Sequence, residues 1–234
     1  MSVLTASASP YANGAFWERL WRMSGINFVL FFIIAYFIYG SQPPVGASAE
    51  SLIAFYQGDR TRILIAAVFS GMAVLNLMWF VAALRTTLTN ADEEGWGGAA
   101  MMAGAMVGGL FILLVTLGAA LAFSIARAGN GALASALNDL AWACVVLSSF
   151  PRAMLIMASA FGLWRSGLIS NALFSVGVAA IVLVLLGGTT WVEGGIWAPD
   201  GVYSRFVSPL IGLAWLLVVS RTMLVQGPAT GSGW

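Results

Sequence analysis

Six apolar runs, each about as long as a bilayer is thick, divide this 234-residue chain and leave it few ways to fold. A helix that crosses the hydrocarbon core needs about 20 predominantly apolar residues, because each residue rises only about 1.5 Å. The runs are Ser24 to Gly40, Ile63 to Leu84, Gly97 to Ala126, Leu137 to Trp164, Leu168 to Gly188, and Phe206 to Val225. The expected fold is therefore all-α: a polytopic integral membrane protein, a bundle of six transmembrane helices, with a short interfacial helix in the first outer loop. Composition agrees, since the chain is 60% hydrophobic and 8% charged, against roughly 25% charged in an average soluble domain. The division expected is 1–23 as a polar N-terminal segment and interfacial lead-in, 24–225 as the six-span domain, and 226–234 as a mobile C-terminal tail.

The edges of the runs carry the punctuation a membrane helix needs. Arg22, Arg62, Arg85, Arg127, Arg165, Arg205 and Arg221 flank them, where a long side chain lifts its charge into the headgroups. Trp17, Trp21, Trp96, Trp164, Trp191, Trp197 and Tyr203 lie at similar positions and suggest aromatic belts. Arg19 and Arg22 before the first run, and Ala47-Ser48-Ala49 after it, have the look of a secretory signal. The run is longer and more aromatic than a usual signal core, so a retained helix is expected. With six spans both termini share a side, which carries five arginines (Arg19, Arg22, Arg85, Arg165, Arg221) against four opposite (Arg60, Arg62, Arg127, Arg205). That count favours cytoplasmic termini, in a bacterial inner membrane.

Two outer loops have content. Pro43-Pro44 stops the first helix, and Ser48 to Gln57 reads as a short helix with Glu50 in its favourable first turn. Its Leu52, Ile53, Phe55 and Tyr56 are expected on the membrane surface. Thr189 to Arg205 mixes Trp191, Glu193, Trp197, Asp200 and Tyr203 with Gly194-Gly195 and Pro199. It reads first as an interfacial cap packed on the helix ends, and second as a lid or partner-docking loop.

The third run contains Gly104 and Gly108 as a Gly-x-x-x-Gly pair among other small residues, a face that another helix backbone can approach closely. Packing inside the bundle is the first reading of that face and a homodimer seam the second.

The fourth run holds Arg152, directly after Pro151, in mid-helix. It lies 13 residues from Asp139 and 13 from Arg165, so roughly 20 Å from each and near the midplane. A charge there costs about 2.5–3.5 kcal/mol on insertion scales and is a functional candidate by default. On a helical wheel Asn138, Val145, Ser148, Ser149, Ile156 and Ser159 fall within about 60° of it. All the acidic residues lie at run ends or in loops, so a simple buried salt bridge is not expected. Three compensating partners remain. They are backbone acceptors and serines near the Pro151 break, the Asn76 amide of the second run, and an anionic group from outside the chain that matches the planar guanidinium. The ligand-binding candidates are therefore Arg152, Ser148, Ser149, Ser159 and Asn76, with Gly104 and Gly108 as helix-packing residues.

Enzyme chemistry has little to work with. The chain has no His and no Lys, and its single Cys144 can neither pair internally nor build a thiolate metal site. Ser148 and Ser149 have no visible base. No catalytic residue, metal site or cofactor is expected. A net charge of +1 without a clustered basic surface argues against nucleic acid.

Phe150-Pro151-Arg152-Ala153-Met154, followed by Gly162-Leu163-Trp164-Arg165-Ser166-Gly167-Leu168-Ile169, resembles a family of six-helix bacterial membrane proteins catalogued as a domain of unknown function. Asp59-Arg60-Thr61-Arg62 before the second run, and Ala83-Leu84-Arg85 at its exit, are similar to that family too. Ser170-Asn171 stand where the family often has Pro. The resemblance implies a six-helix fold and supplies no activity or site.

Two functions follow. The first is a non-enzymatic structural or interaction subunit of a larger membrane assembly, with membrane lipids, other membrane subunits or further copies of the chain as partners. The second is a transporter, channel or sensor that binds a polar or anionic ligand near Arg152.

Overall fold

The arginine-bearing breaks between apolar runs become helix ends, and successive helices fold back on one another. The computed structural model describes residues 14–225, with side chains from residue 20 onward. Residues 1–13 of the N-terminal segment, the C-terminal tail 226–234, and the Trp17 and Arg19 side chains lie outside the described residues. Helices are α1 (Gly14–Tyr39), α2 (Ala49–Gly58), α3 (Arg60–Thr89), α4 (Glu94–Ala120), α5 (Gly131–Leu147), α6 (Ser149–Arg165), α7 (Asn171–Leu186) and α8 (Ser208–Val225). Among the described residues there is no strand. Six helical stretches are long and apolar enough to cross a membrane, α5 and α6 together forming the fourth.

The long helices form a closed ring in chain order. α1 packs on α3, α3 on α4, α4 on α6, α6 on α7, α7 on α8, and α8 returns to α1. One apolar core draws on all six of these helices and includes Phe28, Leu77, Phe80, Leu163, Trp215 and Met223. Glycines set the closest approaches. A Cβ on Gly104 would overlap the Val81 side chain, so this face of α4 is taken by α3, while Gly108 sits at ordinary contact distance from Val74 and Leu77. Gly25 likewise lets α1 meet Ser220 of α8 and Phe80 of α3.

The fourth run differs from its expected form. It begins at Gly131 rather than Leu137, because Asn130 caps α5 by accepting from the Leu133 N–H at 3.1 Å. It is also two helices. Pro151 has no N–H for the Leu147 carbonyl, so α5 ends at Leu147, Ser148 turns, and α6 starts with Pro151 inside its first turn, where a missing N–H is tolerated.

The surface position expected for the apolar side of α2 is corrected for two of its residues. Leu52 is 0% and Tyr56 1% exposed, packed on Ile63, Leu121, Ala122 and Ala134 in a second, smaller core. Residues four apart share a helix face, and Gly131 leaves the space into which Ala49 of α2 settles. Ile53 and Phe55 stay partly exposed.

Gly104 gives this packing a direct test. We expect Gly104→Ala to lower the unfolding free energy in detergent by about 1–3 kcal/mol, the usual range for overpacking. Gly109→Ala, where a Cβ meets nothing within 4 Å, serves as the control and should be neutral or stabilising. Equal melting of the two variants would contradict the α3–α4 contact.

Candidate functional site

The break before Pro151 builds the site. Where the helical ladder is interrupted, the Ser148 hydroxyl donates to the Val145 carbonyl at 2.6 Å, and the Arg152 N–H donates to the Ser148 carbonyl at 3.1 Å. The Arg152 side chain then folds back along the first turn of α6. Its Nε donates to the Ser148 carbonyl at 3.2 Å, and one Nη to the Ser149 hydroxyl at 3.0 Å. Ser149 is held from behind by α7, since Gly187 leaves just enough space for the Ser149 and Ser208 hydroxyls on either side of it. No carboxylate bonds the guanidinium, and its other Nη has no hydrogen-bond partner among the described residues.

Arg152 faces a cavity of about 280 Å³ inside the ring, bordered by α1, α3, α4, α5, α6 and α8. That volume is just below the range of small-molecule sites, about 300–1,000 Å³. Ser148 and Ser159 line it as well. Ser159 is already committed: it donates to the Leu155 and Ile156 carbonyls, each at 2.9 Å, and accepts from the Trp215 indole N–H at 2.8 Å.

A second guanidinium lines the same cavity. Arg205 lies in a π-helical turn, Tyr203–Val207, that leads into α8; such turns re-aim side chains and recur at functional sites. Its Nη donates to the Gln42 carbonyl at 2.9 Å, and its guanidinium sits 5.0 Å from the Trp142 ring centre. Among the described residues, no Asp or Glu lines the cavity. Three acids outside it are engaged: Asp139 accepts from the Gly46 N–H at 3.1 Å, Asp59 pairs with Arg62, and Glu93 with Arg165.

One end of the cavity is closed by residues 40–47 and α2. The Trp142 indole donates to the Pro43 carbonyl at 2.9 Å, and the Asn138 amide to the Pro44 carbonyl at 3.0 Å. Asn138 also accepts from the Tyr56 hydroxyl at 3.3 Å. Burial pushes the Tyr56 phenol above its ordinary pKa, so it remains a neutral donor. On the far side of this end, Thr189–Arg205 is tied down by its own bonds. Trp191 and Trp197 donate to the Gly188 and Thr189 carbonyls, and Tyr203 to that of Leu183 at 2.6 Å.

Of the candidates read from sequence, Arg152, Ser148 and Ser159 line one cavity, and Ser149 anchors Arg152 without lining it. Asn76 does not join them. Its amide donates to the Met72 carbonyl of its own helix at 2.8 Å, away from the cavity, because the i−4 carbonyl is the nearest acceptor for a short amide on a helix. Asn138 shares the expected stripe but serves the loop clamp. The wheel assumed one straight helix, and the break at Ser148 separates the two residues. Arg205 was missed as a site residue because its position at the edge of the sixth run reads as an ordinary interfacial arginine. The Trp142 and Trp215 indoles carried no sequence signal distinct from core aromatics.

No protein-family model, curated protein or solved structure matches the chain.

The anchoring of Arg152 and the loop clamp are separable. Ser149→Ala removes an acceptor from a charged donor and should lower stability by about 1.5–3 kcal/mol. Asn138→Ala should raise hydrogen exchange selectively over residues 41–47. Unchanged exchange there would show that the clamp does not hold the loop.

Proposed function

We propose that the chain is a non-enzymatic integral membrane protein whose intramembrane cavity binds an anionic ligand at Arg152, the site of a transporter, channel or sensor. The six long apolar helices support insertion in the bilayer. The observation that carries the reading is electrostatic: two guanidiniums line one cavity whose described lining contains no carboxylate. In a low-dielectric site such a surplus of positive charge is relieved by an anion, and a guanidinium matches carboxylate or phosphate in a planar, bidentate way.

The subunit reading has less support. The small-residue face at Gly104 is occupied by α3, and the aromatic loop Thr189–Arg205 spends its indole donors on its own backbone.

The test is ligand-dependent melting of the purified chain in digitonin with propionate, octanoate and inorganic phosphate. At least one anion should raise the melting temperature of wild type and leave Arg152→Gln unmoved. Arg152→Lys should recover only part of the response, because an ammonium lacks the planar fork. If none of the three distinguishes wild type from Arg152→Gln, the anion site is refuted.

A further inference from the structure

We infer that the ligand is a single-chain amphiphile of about eight carbons with a carboxylate or phosphate head; this inference rests on the anion site proposed above. Three helices that line the cavity change character in the same sense along its length. On α1 the lining passes from Phe28 and Phe32 to Tyr36, Tyr39 and then Gln42 in the following loop. On α8 it passes from Trp215 through Gly212 to Arg205 in the preceding π turn, and on α6 from Ile156 to Arg152 and Ser148. Hydrophilic groups therefore gather toward α2, with Arg152 between them and an apolar end walled by Phe28, Phe80, Leu155 and Trp215.

That apolar end offers a headgroup nothing. Its indole and hydroxyl, Trp215 and Ser159, are bonded to each other, and the Ser159 proton goes to carbonyls of its own helix. A small polar anion would leave this part of the cavity without apolar contacts, whereas an alkyl chain attached to the anion fills it. The dimensions limit the chain. From Arg152 to Ser159 along α6 is about 10 Å, the length of about eight extended carbons at backbone-like bond geometry.

The experiment uses the full chain in digitonin, which presents no simple alkyl chain, and reads indole fluorescence, since Trp142 and Trp215 line the cavity. Probes are propionate, hexanoate, octanoate and dodecanoate, then octyl phosphate, inorganic phosphate and octyltrimethylammonium. Affinity should rise about threefold to fourfold per added methylene up to about eight carbons and then level off. Octanoate and octyl phosphate, the two possible head chemistries, are compared directly, and either or both binding in this way supports the inference. Arg152→Gln should weaken octanoate at least tenfold. Gly212→Leu is the second variant. A Cβ there meets nothing within 4 Å, so the added side chain grows into the cavity and should abolish the dependence on chain length while the protein folds. Propionate or inorganic phosphate binding as tightly as octanoate would overturn the amphiphile and leave the anion site standing. Octyltrimethylammonium binding as tightly as octanoate, or no difference between wild type and Arg152→Gln with any probe, would overturn both.

Discussion

A missing N–H at Pro151 is the constraint on which the rest of the structure depends. It leaves the Leu147 carbonyl without its helical partner, and α5 ends there. The two segments, α5 and α6, share α4 and differ in their other main partner: α5 also packs with α2, and α6 with α7. The Ser148 carbonyl, which keeps its helical bond from the Arg152 N–H, accepts from the guanidinium as well, together with the Ser149 hydroxyl. α5 in turn holds the closing loop through Asn138 and Trp142.

Those two bonds, both to neutral groups, orient Arg152 without neutralising it. A carboxylate in the cavity would have done both, and acids outside it are engaged with other groups: Asp139 on the Gly46 amide, Asp59 on Arg62. Arg205 follows the same logic, held by a carbonyl and an aromatic face, interactions that fix a guanidinium's place and leave its charge uncompensated. The uncancelled charge and the apolar wall belong to one cavity, and the proposed anionic, hydrophobic ligand rests on that pairing.

The end of the cavity near α2 is closed by a different kind of interaction. Residues 40–47 cross it as irregular backbone, and backbone of this kind persists away from water only where its polar groups find partners. Pro43 and Pro44 donate no N–H, so what the loop must satisfy there is carbonyls, and Trp142, Asn138 and Arg205 supply the donors. α2 then adds the apolar contribution, burying Leu52 and Tyr56 against the π-helical end of the third long helix.

Hydropathy by itself determined the helical class, the six long apolar stretches, the positions of most breaks and the peculiarity of Arg152, because these depend only on local sequence: run length, proline, and a charge among apolar neighbours. Ser148 and Ser159 were legible for the same reason, lying within two turns of Arg152 on one helix face. What the tertiary structure alone decided is everything that joins residues distant in the chain. Arg205 meets Gln42, and Tyr56 meets Asn138. Asn76 turns to its own backbone, while α3 occupies the Gly104 face and α2 goes inward. The physical reason is that hydropathy states how much a residue prefers to leave water, while a hydrogen bond or a cavity wall depends on which other helix arrives at the same depth and at what angle.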